Sequence, residues 1–275
     1  MNKTLHFLSG VPRSGSTVLA AILNQNPATH VSTTSGLVHA LDALANSWHS
    51  TQLLNNTDKD RTKLAQTMRG LIDAFYENVD KPVIIDKSRG WPIDIIMNAM
   101  EHVLGRKPRI IATVRSVPDC AASFVRIEKP KNLDDFINSD QLMTHLRAAY
   151  ISLKNGYEAA PENFLFVEYE DLVSDPKTQL NRVHEFLGLE PFEYNFNEID
   201  GSSVAEDDED LHGTAGMHDV KPVLEKQHNE NPRDVLKKHY SAFCQPEFWL
   251  DKPRTLPEIH DLDLQLAAAI MGDFA

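Results

Sequence analysis

Between Gly10 and Thr17 the chain reads Gly-Val-Pro-Arg-Ser-Gly-Ser-Thr, the spacing of a phosphate-binding loop, G-x-x-x-x-G-K-[ST], with serine at the lysine position. An apolar stretch, Leu5 to Leu8, precedes it, and a helical pattern, Val18 to Leu23, follows. A glycine-rich turn between strand and helix aims backbone N–H groups and the positive end of the helix at an anion. In a phosphotransferase the missing lysine would act on the β- and γ-phosphates. Here Arg13 puts a permanent cation inside the loop instead. The loop is suited to holding a phosphate-like group without the chemistry of an ordinary ATPase. Lys87 and Arg115 add two more cations, each just after a run of strand character.

Those runs alternate with helical stretches. Pro82-Val-Ile-Ile-Asp86, Arg109-Ile-Ile-Ala-Thr-Val114 and Asn163-Phe-Leu-Phe-Val167 read as buried strands, with Val31 to Ser35 as a short polar β-prone segment opening a helix from Gly36 to Trp48. Helical spacing marks Arg61 to Tyr76, Ile93 to Leu104, Asp119 to Ile127 and Asp134 to Glu158. A further helix starts at Asp175-Pro176 and stops at Gly188. Such alternation predicts a three-layer α/β/α fold of P-loop type around a central parallel sheet. In such sheets ligands sit beyond the carboxyl ends of the strands, where Arg13, Lys87 and Arg115 all fall. One domain over residues 1–275 is expected, with a cofactor-binding core at 1–200 and a loop-rich part at 201–275 shaping the acceptor site. In that second part Ala205 to Asp210 is an acidic run read as a solvated loop, and a polar stretch flanked by Gly213 and Gly216 leads into His218-Asp-Val-Lys-Pro222. Phe248 and Trp249 are expected to pack back onto the core.

Composition narrows the classes. A net charge of −13 over 275 residues leaves no basic stripe for nucleic acid, so an anionic ligand must be held by local cations and loop amides. The two cysteines, Cys120 and Cys244, form neither a disulfide framework nor a zinc-ligand spacing. No apolar run reaches the ~18 residues of a membrane span, and the apolar stretch before Gly10 is too short for a signal peptide. A cytoplasmic location is the expectation.

The Pro12-Arg-Ser-Gly-Ser-Thr17 loop and the strand ending at Arg115, with Ser123 eight residues on, together resemble the sulfotransferases that use 3′-phosphoadenosine 5′-phosphosulfate (PAPS), bacterial-type enzymes among them. The loop is most similar to the Pro-Arg-Ser-Gly-Thr-Thr form of tyrosylprotein sulfotransferases. The resemblance covers roughly residues 4 to 223. It implies that Pro12, Arg13, Ser14, Gly15, Ser16 and Thr17 bind the 5′-phosphosulfate, and that Arg115 and Ser123 bind the 3′-phosphate. Val167-Glu-Tyr-Glu-Asp-Leu172 resembles the segment whose tyrosine lies by the adenine, which points to Tyr169. Asp86-Lys87-Ser88 matches the reaction-centre lysine, and Val220-Lys-Pro-Val223 a late Lys-Pro segment near the cofactor, which points to Lys221. The implied reaction moves a sulfuryl group from PAPS to a hydroxyl or amine acceptor, releasing PAP, with no metal required.

There are departures. The Arg-Lys-Gly loop of the cytosolic small-molecule enzymes is absent, Ser88 stands where those enzymes carry a catalytic histidine, and the glutamate base of the tyrosylprotein enzymes would fall near Thr33-Thr34. A hydroxyl acceptor benefits from a general base near neutral pKa, so among the twelve histidines His218, three residues before Lys221, is the first candidate and His39 the second. A lone histidine is more often structural, and His6 within the first strand reads as packing. Two rival functions remain open at this point: a P-loop kinase or phosphotransferase that has lost its lysine, and a non-catalytic nucleotide-binding protein. The serine at the lysine position and the Arg115–Ser123 pair both weigh against the kinase.

Overall fold

The structure is a computed structural model describing residues 3–50, 58–205, 218–225 and 230–250. Five parallel strands form one sheet: β1 (Thr4–Gly10), β2 (Thr29–Thr34), β3 (Val83–Lys87), β4 (Ile110–Val114) and β5 (Phe164–Glu168), in the spatial order β2-β3-β1-β4-β5. The polar Val31–Ser35 segment is thus part of a full edge strand, shifted towards the N-terminus. It pairs with β3 through an irregularity between Val31 and Thr34.

Alternation along the strands separates two apolar layers. Leu5 and Phe7 of β1, Ile84 of β3 and Ile110, Ala112 and Val114 of β4 face one cluster. Leu8, Ile85 and Ile111 face the other. The first layer is covered by α2 (Leu37–Ser50), α3 (Asp58–Phe75), α4 (Asp94–Leu104), α5 (Val117–Glu128) and α7 (Asp140–Ala159). The second is covered by α1 (Ser16–Leu23), the short α8 (Tyr169–Ser174) and α9 (Pro176–Leu187). Gly188, at φ 71°, ends α9 as its left-handed C-cap.

The stretch Asp134–Glu158, expected as one helix, is two: α6 (Leu133–Ile137) and α7. Asn138 leaves helical geometry and Ser139 caps α7, its hydroxyl accepting from the Leu142 N–H, so the local cap overrides the apolar periodicity. A last helix, α10 (Pro232–Leu236), packs against α5. Beyond it Phe248 and Trp249 lie against the first apolar layer as expected, and the Tyr150 hydroxyl donates to the Pro246 carbonyl at 2.6 Å. The acidic residues 206–210 and the glycines at 213 and 216 lie outside the described residues. No described helix is long and apolar enough to cross a membrane.

Candidate active site

β1 connects to β2 on one side of the sheet and its neighbour β4 to β5 on the other, which places the start of α1 at the topological switch point where open α/β sheets bind ligands. A cavity of about 390 Å³ opens there. Its floor is the loop between β1 and α1, and the backbone shows why this sequence folds so. Gly10 takes φ 145° and approaches β4 so closely that a Cβ would lie 2.2 Å from the Thr113 carbonyl oxygen. Gly15 takes φ 89° against the Tyr169 ring, 2.8 Å from where its Cβ would be. Arg13 itself adopts the left-handed region, φ 66°, a conformation that costs a non-glycine residue free energy and tends to mark functional turns. Ser14 Oγ pins the turn from below, 2.6 Å from the Val11 carbonyl oxygen and 2.7 Å from Thr113 Oγ1. Its side chain is fully buried and does not line the cavity, so only its backbone can serve a ligand.

Pro12, Arg13, Gly15, Ser16 and Thr17 all line the cavity. From the end of β3 comes Lys87, 6% exposed, its Nζ donating to Thr17 Oγ1 at 3.2 Å. Its backbone is fixed on both sides: its N–H donates to Ser32 Oγ at 2.8 Å, and its carbonyl accepts from the Ser35 N–H. The neighbouring Asp86 is fully buried and accepts from the Tyr76 hydroxyl and, at 2.8 Å, from Trp91 Nε1. Burial pushes the Asp86 carboxyl above the usual range although the hydrogen bonds from Tyr76, Ser35 and Trp91 oppose the shift. Asp86 therefore braces the Lys87 strand end and is walled off from any acceptor.

Arg115 and Ser123 form a second wall, off the end of β4 and along α5. Arg115 Nε donates to Glu170 Oε1 at 2.9 Å, Asp119 Oδ1 lies 3.8 Å from Nη2, and the guanidinium carbon sits 4.5 Å from the Tyr169 ring centroid. Tyr169, the first residue of α8, is thus held between Gly15 and Arg115. Ser123 Oγ accepts from Arg13 Nε at 3.3 Å, so the loop and the α5 wall are joined in one network.

The third side is residues 218–225. The Ile199 N–H donates to the Pro222 carbonyl at 2.7 Å and the Leu224 N–H to the Phe196 carbonyl at 2.8 Å, which brings His218 and Lys221 to the cavity. Lys221 Nζ lies 3.5 Å from Glu225 Oε1. His39 is a correction to the sequence reading. It is exposed on α2 and does not line the cavity, because Leu37, Val38 and Leu41 take the buried face of that helix.

Several lining residues escaped sequence reasoning: Arg89, Arg126, Asp219 and Glu225. Arg126 alone carried a usable signal, lying one helical turn beyond Ser123. Cations dominate the lining, Arg13, Lys87, Arg89, Arg115, Arg126 and Lys221 against Asp219 and Glu225, in a chain whose net charge is −13. A local positive field inside an acidic molecule selects a compact polyanion. The loop amides and the cations around them fit an anionic ligand.

The profile of the sulfotransferase family matches residues 7–194. Protein-tyrosine sulfotransferase A of Caenorhabditis elegans is 26% identical over 196 residues, 66% of this chain and 49% of that protein, so the match spans about half the relative's length. Among solved structures, the sulfotransferase domain of the Synechococcus PCC 7002 olefin synthase superposes with a TM-score of 0.49 at 22% identity, covering 99% of this chain and 96% of that one. A sulfotransferase domain from the curacin biosynthetic pathway superposes with a TM-score of 0.47 at 15% identity, covering 99% and 98%.

Proposed function

Since the chain belongs to the sulfotransferase family, we propose that it moves a sulfuryl group from PAPS to a hydroxyl or amine acceptor and releases PAP. The observation that carries this is the Lys87 ammonium on the Thr17 hydroxyl. In a P-loop phosphotransferase that hydroxyl holds Mg²⁺ and the loop's own lysine sits on the phosphates. Here a lysine from a different strand brings the positive charge, and the loop carries serine at the lysine position.

When bound, PAPS supplies a sulfur open to in-line attack and a leaving nucleotide on whose bridging oxygen charge grows. The backbone amides of residues 14–17 orient the anionic group, and Arg13 and Lys87 neutralise charge that develops on oxygen in a partly dry site. Tyr169 offers a ring face and Arg115 with Ser123 a phosphate-binding wall. Among the cavity-lining groups we assign His218 the acceptor proton, which it takes as the new oxygen–sulfur bond forms. Residues 218–225 would face the acceptor.

A thermal-shift and calorimetric comparison of PAP, AMP and ATP with magnesium tests the proposal. PAP at ~100 times its dissociation constant should stabilise the protein by ~2.7 kcal/mol, and AMP at the same concentration much less. Labelled PAPS should pass its sulfuryl group to a hydroxyl acceptor without added metal. Tighter binding of ATP than of PAP, or ATP turnover dependent on magnesium, would establish a phosphotransferase instead.

A further inference from the structure

We propose that Tyr76 and Asp86 are positioning residues of the reaction centre, which act from behind the cavity wall by fixing where the Lys87 ammonium stands. This rests on the sulfotransferase reading above and adds to it a buried polar network. Neither residue lines the cavity, so their effect on a reaction there runs through Lys87, which does.

Lysine has a long flexible stem, so the aim of its ammonium depends on how firmly its backbone is held. A regular ladder does not hold Lys87. Val31 pairs with Ile85 and Thr34 with Lys87, so β2 advances three residues while β3 advances two. Such a bulge takes a residue out of the ladder, and bulges beside active sites re-aim side chains. Here the Lys87 N–H donates to Ser32 Oγ at 2.8 Å, and the Ser35 N–H donates to the Lys87 carbonyl at 2.8 Å. Both serines are buried and both interact with the Tyr76 hydroxyl, while Ser35 also hydrogen-bonds Asp86. Tyr76 in turn donates to Asp86 Oδ2, and Trp91 Nε1 donates to Oδ1. Tyr76, Asp86 and the two serines thus converge on the backbone of one residue. Packing alone does not account for them. Among the described residues every donor to the Asp86 carboxylate is neutral, and a buried carboxylate so served costs more than an apolar side chain of similar volume. What a satisfied buried network provides is a single rigid arrangement. It keeps Lys87 Nζ on Thr17 Oγ1, beside the loop, so that the charge is in place before a reaction begins.

Trace labelling of the full chain with acetic anhydride, read by peptide mass spectrometry, tests this without any substrate. Lys87, 6% exposed, should react slowly, with the exposed Lys177 as internal standard. Tyr76→Phe keeps the ring and removes the hydroxyl. It should raise Lys87 labelling about 2- to 10-fold, the restraint of one hydrogen bond. Asp86→Asn should do the same; if it does not fold, Ser32→Ala is read by the same criterion. Tyr150→Phe removes the same group from another buried tyrosine, one bonded to the Pro246 carbonyl, and should leave Lys87 labelling unchanged. In turnover with labelled PAPS and 4-nitrophenol, Tyr76→Phe should lower kcat about 10- to 100-fold with PAP affinity within about 3-fold, and should cost nothing further in Lys87→Ala. Equal Lys87 labelling in wild type and Tyr76→Phe, or an equal rise in Tyr150→Phe, overturns the role of the network. So does an equal loss of kcat in the Lys87→Ala background, and each of these leaves the sulfotransferase reading intact. A wild type that does not bind PAP overturns that reading, while the labelling still decides whether Tyr76 and Asp86 hold Lys87.

Discussion

Lys87 is a nearly buried ammonium whose nitrogen reaches Thr17 across the gap between β3 and α1. A charge so placed is expensive unless an anion or a hydrogen bond offsets the lost hydration. In the proposed reaction the offset is greatest when charge builds on the bridging oxygen, which is the condition for catalysis rather than tight binding. Lys87→Ala should therefore lower kcat by ~10²–10³ with PAP affinity within a few-fold of wild type, measured by steady-state rates and titration. A collapse of PAP affinity would make Lys87 a ground-state anchor. His218 gives the companion prediction. A base loses its function when protonated, so kcat/KM should fall on the acid side, and His218→Ala should flatten that limb and cost ~10²–10⁴ in rate while PAP still binds. His39→Ala, on the exposed face of α2, should leave the profile unchanged. If His39→Ala alone removes the limb, the assignment is reversed.

At the scale of elements, β1 carries both the site and a liability. Its carboxyl end turns through Gly10 into the loop that floors the cavity, while His6 in its middle is 2% exposed with neither ring nitrogen hydrogen-bonded among the described residues. Burial, then the charges of Arg106 and Arg109, lower the His6 pKa to about 3. The imidazole is thus neutral in the folded protein over the whole neutral and mildly acidic range. Unfolded, it takes up a proton below about pH 6.5, so the unfolded state binds more protons and stability falls as pH drops through the window from about 6.5 to about 3. At pH 5 this one group should cost about 2 kcal/mol relative to pH 7. His6→Leu should remove that loss and be neutral or stabilising at pH 7, since it also deletes unpaired polar atoms. Urea titrations of both proteins at pH 7 and pH 5 decide it; an unchanged difference between the two pH values would clear His6 of the effect.

Over the whole molecule, the sheet is covered on both faces, and the last described segment, 230–250, completes one of them. Trp249 packs there beside Phe248, and its Nε1 donates at 2.9 Å to Glu168 at the end of β5. Glu168 is itself buried, so this contact ties a late segment to the edge of the sheet, one residue before Tyr169. Trp249→Ala should cost about 2–4 kcal/mol in chemical denaturation, combining lost packing with a buried carboxylate short of a donor. Trp249→Phe, which keeps most of the ring, should cost about 1–2 kcal/mol, the share of the hydrogen bond. Equal losses for the two would assign the whole effect to that bond, and no loss in either would detach the segment from the stability of the fold.

The turn at residues 10–17, the buried strands and the helix from Pro176 to Gly188 were legible in the sequence because each is written locally. Glycines stand where φ must be positive, β-branched runs are bounded by turns, and a proline and a glycine frame a helix. That Arg13, Lys87 and Arg115 line one cavity was legible for a similar reason, since a parallel sheet sends every strand end to the same edge. The break at Asn138–Ser139 was also written locally, as a cap, but the apolar periodicity on either side of it was the stronger pattern. What only the tertiary structure decided was which residues far apart in sequence share one space. It set His218 at the cavity and His39 outside it, and it buried Asp86 behind Tyr76 and Trp91. It also engaged Arg115 with Glu170. Burial and charge compensation are sums over neighbours from every packed element. A chain read in one dimension fixes which groups exist, and the packing of its layers fixes which of them are desolvated, paired or left available to a ligand.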